Sequence, residues 1–491
     1  MAHVFLDPFA MSGRVIDGGC SIKRTADASA SVTFKVKYWA TDDIEDNAVT
    51  TSAAESSASS DNERVIIALT GLIENQTYNY KIIQNLNGGG DSTLARTGQF
   101  YSGTSSNDAT VCGMVIGDIH NGNESAGAAS AEKLQDVDSV ADVMVSRGVQ
   151  VAIQGGDHIH NVSKTYLDGV DNAALYAQCV TATTNFFGMW ERPISLAPFY
   201  WVNGNHEFSG CNFYGDISGF YNQLIATQIL KRFLLNPATD ISEAASEWAD
   251  AVDVAAEEPW VVGDNLPPFE TQFAFRHGPI LFVGIDSERY GKAENDEADV
   301  ATMGASQKAW AIATAKASDA IWKVLIVHRP SGGYHQTNEA YRRGSLPGVA
   351  TKTEYEWGAS FYADVIDPYY DMTIGMHDHV AYHGRVTRKY GVPSISGGSP
   401  TAPFALDDPA TGSGYGTSSG EKLEADYYAN ERGVWVYDAN SLRMRWRYIR
   451  TVNDDRDGTL DEVQHEFEIV PRHVSRTMYG ANGVHYAGFV E

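Results

Sequence analysis

The chain has 491 residues, 43% hydrophobic and 20% charged, proportions of a globular protein able to bury a sizeable core. Its 36 basic and 63 acidic side chains give a net charge of −27, which repels polyanions and argues against a nucleic acid or an anionic membrane as partner. No apolar run approaches the ~20 residues of a membrane-spanning helix, and no basic segment followed by an apolar one opens the chain.

The expected location is extracellular or periplasmic if a signal peptide has been removed, and cytoplasmic otherwise. Cys20, Cys112, Cys179 and Cys211 show no CxxC spacing and suggest no zinc site. Their even number permits two disulfides or free thiols.

Residues 1–107 read as β structure. Polar and apolar residues alternate over 31–39 and 64–69, as in half-buried strands, and the Ser-, Asp- and Ala-rich stretch 41–62 reads as a solvated loop. Gly71-Leu72 followed by Tyr78-x-Tyr80 resembles the corner of a fibronectin type III-like sandwich, in which a Tyr ties down a strand connection. Residues 88–91 form a turn and 96–101 a further strand. The small polar stretch 103–108 reads as a linker to a second domain, 108–491.

From Thr110 the period changes. A strand at 111–116, a helix at 131–146 and a strand at 149–153 form a β-α-β unit with parallel strands. A helix at 172–190 and a strand at 199–202 follow, then an acidic Ala-rich segment between 208 and 273, helical around 241–257. Residues 271–275 and 280–286 read as a strand pair, 306–317 as an amphipathic helix, and 433–437, 444–449 and 466–470 as antiparallel strands closing a sheet.

Five strand-end motifs carry chemistry: Gly117-Asp118-Ile119-His120, Gly156-Asp157, Gly204-Asn205-His206-Glu207, His328 and His377-Asp378-His379. Open α/β sheets bind ligands where strands end at their carboxyl side. Asp118, His120, Asp157, Asn205, His328, His377 and His379 offer oxygen and nitrogen donors without a thiolate, a mix suited to Mn, Fe or Zn. Two such ions ~3.5–4 Å apart need a bridging carboxylate, and Asp157 in the middle motif is the candidate.

In this order the motifs resemble the signature of calcineurin-like metallophosphoesterases. The N-terminal sandwich, the Gln307-x-x-Trp310 helix, His328-x-Pro330 and the β tail are most similar to purple acid phosphatases. The resemblance implies a four-layer α/β/β/α sandwich after the fibronectin-like domain. It also implies two transition-metal ions, one held by Asp118, His120, Asp157 and His379, the other by Asp157, Asn205, His328 and His377. His206 and Asp157 would be the catalytic residues: His206 contacts the phosphoryl group or protonates the leaving alkoxide, and a metal-bound hydroxide is the nucleophile.

Two departures stand out. The third residue after the bridging Asp, a Tyr ligand in purple acid phosphatases, is His160 here, and His120 stands where they lack a His. His158 and His160 are candidates for groups that orient ligands or face substrate. Arg329 and His335 are candidates for phosphate contacts.

The expected activity is that of a binuclear phosphomonoesterase acting on a small phosphorylated substrate. A phosphodiesterase or nucleotide phosphohydrolase is the alternative within the class. From another class, a surface or assembly protein with an idle phosphoesterase fold remains open.

Overall fold

A computed structural model describes residues 3–8, 17–25, 32–52, 54–56, 64–86, 92–120, 131–158, 185–186, 188–202, 204, 272–285, 305–328, 362–376, 379, 381–387, 390–400, 424–429, 432–451 and 463–471. The helix expected at 241–257, most of that expected at 172–190, and His160, Asn205, His206, Arg329, His335 and His377 lie outside the described residues.

The N-terminal region holds two antiparallel sheets. Strands β1 (His3–Pro8), β2 (Asp17–Thr25) and β6 (Arg64–Thr70) form one. The other contains β3 (Val32–Ala40), β4 (Val49–Thr50), β7 (Thr77–Leu86) and β8 (Ser92–Tyr101), with β5 (Ala54–Ser56) also paired to β3. The stretch expected to be a solvated loop thus carries two short strands. Each is an edge of two or three residues, too short to show alternation.

Alternate residues Phe34, Val36 and Tyr38 of β3 and Tyr78, Tyr80 and Ile82 of β7 are buried, as a period of two requires. Tyr78 stacks on Phe100 at 5.3 Å, and its hydroxyl accepts the Ile73 N–H at 2.7 Å.

The segment 103–108, expected as a linker, is held by hydrogen bonds. Thr104 is buried, its carbonyl accepts the Gly278 N–H at 2.7 Å, and Arg276 donates to the Ser105 carbonyl and to Asn107 Oδ1, both at 2.9 Å. The Gln99 N–H reaches the Ser195 carbonyl at 3.1 Å, beside the helical turn Glu191–Ile194.

Two mixed sheets follow. The first joins parallel β9 (Val111–Ile116), β10 (Val151–Gln154) and β11 (Phe199–Trp201) to antiparallel β19 (Gly433–Ala439), β20 (Met444–Arg450) and β21 (Val463–Ile469). Its order is β11-β10-β9-β19-β20-β21, so the tail strands close the sheet as expected.

The second sheet runs in the order β12 (Phe273–His277), β13 (Ile280–Ile285), β14 (Trp322–Val327), β15 (Met372–Gly375), β17 (Tyr390–Gly397), β16 (Ala381–Thr387), β18 (Glu424–Ala429). Strands β13, β14, β15 and β17 are parallel.

One apolar core lies between these sheets. It contains Val115, Ile153 and Trp435 from the first and Phe282, Ile326 and Ile374 from the second. A separate core on the second sheet's other face joins Val283, Leu325 and Val327 to Ala311 and Ala315 of α2 (Ala305–Ala317).

The crossover from β9 to β10 is α1 (Ala131–Arg147). It buries Val137, Val140, Ala141 and Met144 at helical spacing and leaves Val145 exposed. Cys112, on β9, is a free thiol.

Candidate metal centre

Parallel strands from both sheets end on the same side and deliver the motifs there. Beyond β9 come Gly117 and Asp118, beyond β10 Gly156 and Asp157, beyond β14 His328, and beyond β15 Met376 and His379. Backbone bonds lock these ends together. The Gly155 N–H reaches the Ile116 carbonyl at 3.0 Å, the Val202 N–H the Gln154 carbonyl at 2.9 Å, and the Met376 N–H the His328 carbonyl at 2.8 Å.

The Asp157 carbonyl accepts N–H groups from both Ile119, at 3.0 Å, and His120, at 2.8 Å. The first two motifs are therefore one hydrogen-bonded unit.

Asp118, His120, Asp157 and His379 each direct a ligand-type atom into one cluster, all four atoms lying within 4.8 Å of one another. His120 Nε2 is 3.5 Å from Asp157 Oδ2, and the His120 and His379 rings stand 4.3 Å apart. Three of these four residues have left-handed backbones: His120 at φ 53°, Asp157 at φ 53° and His379 at φ 56°. Such conformations cost energy outside glycine and persist where the surroundings impose them, commonly at functional sites.

His328 completes the wall. Its Nδ1 meets the Gly155 carbonyl at 2.9 Å, so Nδ1 carries a proton, and its Nε2 stands 3.3 Å from Asp157 Oδ2. Gly204 fits this corner because a Cβ there would run into the Asp157 carboxylate and amide nitrogen.

Asp118 and Asp157 are both buried. Burial, opposed by His328 and reinforced by the neighbouring Asp157 charge, pushes the Asp118 carboxyl up to about 6. Two carboxylates packed together out of water need cationic compensation. Two oxygen and two nitrogen donors converging on one point fit a divalent transition metal.

The geometry thus brings together four of the seven sequence-expected ligands, with His328 beside them. Asn205 and His377 lie outside the described residues, as does His206. His158 is fully buried, its ring 5.2 Å from Phe186 and 5.7 Å from Trp201, so it packs among aromatic side chains.

Two further groups had no place in the sequence-level site. Ser399 donates to the Asp118 carbonyl, and Gln154 bonds both polar backbone groups of Gly156. The signals were present but weak: a Ser in the turn-like Gly397-Gly398-Ser399-Pro400, and a polar residue ending the apolar β10 run.

The family model for calcineurin-like phosphoesterases matches residues 114–379, more than half of the chain, from within β9 to the last clustered His. The chain belongs to the calcineurin-like phosphoesterase family. Members are metallophosphoesterases, hydrolases of phosphoric ester bonds.

Among solved structures, the chain is similar to a purple acid phosphatase from yellow lupin (Lupinus luteus) seeds. The TM-score is 0.59 at 13% identity, covering 94% of this chain and 73% of that one. It is also similar to the structure of PhoD, with a TM-score of 0.64 at 13% identity, covering 95% and 90%. At these identities the likeness is one of fold, and the fold is the purple-acid-phosphatase-like one. Comparison with curated protein sequences finds no match.

Proposed function

We propose that this phosphoesterase is a binuclear metal-dependent phosphomonoesterase. The observation that carries the reading is the buried cluster of Asp118, His120, Asp157 and His379, three of whose members sit in the left-handed backbone region.

These four residues would hold one ion. Asp157 would be shared with a second, held also by Asn205, His328 and His377. The approach of His328 Nε2 to Asp157 Oδ2, at 3.3 Å, supports that sharing. When bound, such ions supply a water of pKa lowered toward ~7 and neutralise charge on the phosphoryl oxygens.

The chain's own groups do the rest. The backbone N–H groups of Ile119 and His120 hold the Asp157 main chain, and the Gly155 carbonyl holds the proton on His328 Nδ1. His206 is assigned to the phosphoryl group and the departing alkoxide. The ions are Mn, Fe or Zn by donor type.

Residues 1–107 are assigned as a fibronectin type III-like domain. The Tyr78 hydroxyl on the Ile73 N–H, tying a strand back to its approach, supports this.

Purified protein should bind about two transition-metal equivalents and release p-nitrophenol from p-nitrophenyl phosphate faster than from its bis-ester, with chelation abolishing turnover. Faster cleavage of the bis-ester would replace the monoesterase assignment with a diesterase. No turnover of either compound after Mn, Fe or Zn is supplied would overturn the enzyme reading and leave an idle fold.

A further inference from the structure

Gln154 closes strand β10 and is fully buried. Its side chain folds over the next turn instead of leaving the strand. Oε1 accepts the Gly156 N–H at 2.9 Å, and Nε2 donates to the Gly156 carbonyl at 2.5 Å. Because an N–H can only donate and a carbonyl only accept, the partners fix which end of the amide is which.

One side chain thus satisfies both polar groups of a single buried residue. That residue has φ 105°, a value open to glycine, and a Cβ on it would collide with His328 Nδ1. The next residue is Asp157, itself at φ 53°. The flanking bonds of Gly155 and Asp157 hold the ends of the turn, and the amide alone satisfies the polar groups of Gly156 between them, selecting this conformation among those glycine allows.

We propose that Gln154 is a positioning residue for metal binding. By locking Gly156 it aims the Asp157 carboxylate at Asp118, His120 and His379, and it keeps the Gly155 carbonyl facing His328 Nδ1. This rests on the reading of Asp157 as a metal carboxylate. Leu at 154 keeps the bulk and loses both bonds, Glu keeps the acceptor and sets a carboxylate against the Gly156 carbonyl, and Asn is one methylene short of the turn.

A control exists in the same part of the fold. Gln150 Oε1 accepts the Cys112 N–H at 3.0 Å and meets His277 Nε2 at 3.1 Å, ahead of the opposite end of β10. Its loss should harm folding stability without touching the metal cluster.

The test titrates metal-free full-length Gln154→Leu, Gln154→Glu, Gln150→Leu and Asp157→Asn with Mn(II) and Zn(II) against a chelating indicator, with melting curves of each metal-free protein. The two Gln154 variants should bind roughly 10–100-fold more weakly, the range seen when a group supporting a ligand is removed. Gln150→Leu should melt lower and bind as wild type does.

Wild-type affinity in a folded Gln154 variant, or equal weakening in Gln150→Leu, would overturn the positioning role. If Gln154→Leu does not fold, Gln154→Glu decides. Undiminished binding by Asp157→Asn would sink the ligand assignment itself, an outcome distinct from failure of the Gln154 role.

Discussion

His328 meets the Gly155 carbonyl through Nδ1 at 2.9 Å while its Nε2 stands 3.3 Å from Asp157 Oδ2. A main-chain oxygen of the second motif therefore holds a proton on Nδ1 of the fourth and turns its Nε2 toward the carboxylate that two ions would share. His328→Asn should keep the fold and weaken binding of the second metal equivalent by more than the ~10–100-fold lost when a group merely supporting a ligand is removed. Chelator competition on the folded variant measures this, and unchanged affinity would remove His328 from the centre.

Asp118 shows the cost of such a site. Its carboxyl is buried beside a second carboxylate and pushed up to about 6, above the ordinary 3.8. The metal-free native state consequently binds more protons than the unfolded chain between those values, and this group's contribution falls as pH rises through that window. Neutral Asn removes the penalty. Metal-free Asp118→Asn should melt higher than metal-free wild type at pH 7, by the equivalent of a few kcal/mol at most, and should lose metal-dependent stabilisation. A lower melting point would show that the carboxylate stabilises the empty protein.

The motifs that could be read in the sequence share a physical reason. Asp118, Asp157 and His328 each follow an apolar strand of a parallel array, where strand ends collect at one edge. What stayed hidden depends on partners far away in the chain. Ser399 supports Asp118 across 281 positions, and its role exists only because β17 ends beside β9. Strands β16 and β17, which extend the second sheet, follow the last His motif and contain glycine, and in β17 proline, that obscure the alternation. Gln154 is legible in retrospect, since a polar residue ending a buried strand must find partners close by.

His277 should make the fold acid-sensitive away from the metal centre. Burial holds its imidazole down at about 3, against an ordinary 6.5, with Nε2 toward Gln150 and Nδ1 toward the Tyr437 hydroxyl at 2.8 Å. Between those values the unfolded chain binds the extra proton, so this stability is complete above about pH 6.5 and is lost as pH falls toward 3. His277→Asn should lower stability at pH 7 by about 1–3 kcal/mol through its unsatisfied neighbours, yet flatten the acid slope by up to one proton. Urea unfolding of metal-free wild type and variant from pH 7 to 4.5 gives both quantities. Parallel slopes would mean that His277 titrates normally.

Arg276 joins the N-terminal region to the second sheet. Its guanidinium donates to the Ser105 carbonyl, to Asn107 Oδ1 and to the Gly278 carbonyl, and pairs with Asp319 at 2.6 Å. Asp319 is 86% exposed, so the ion pair adds little, and the planar fork on three fixed oxygens carries the effect. Lysine has the charge without the fork. Arg276→Ala should therefore make the 103–108 segment cleavable in limited proteolysis and cost about 1–3 kcal/mol. Arg276→Lys should recover only a small part, whereas metal affinity should stay at the wild-type value in both. Full protection in Arg276→Lys would show that charge, not the geometry of the fork, holds the two regions together.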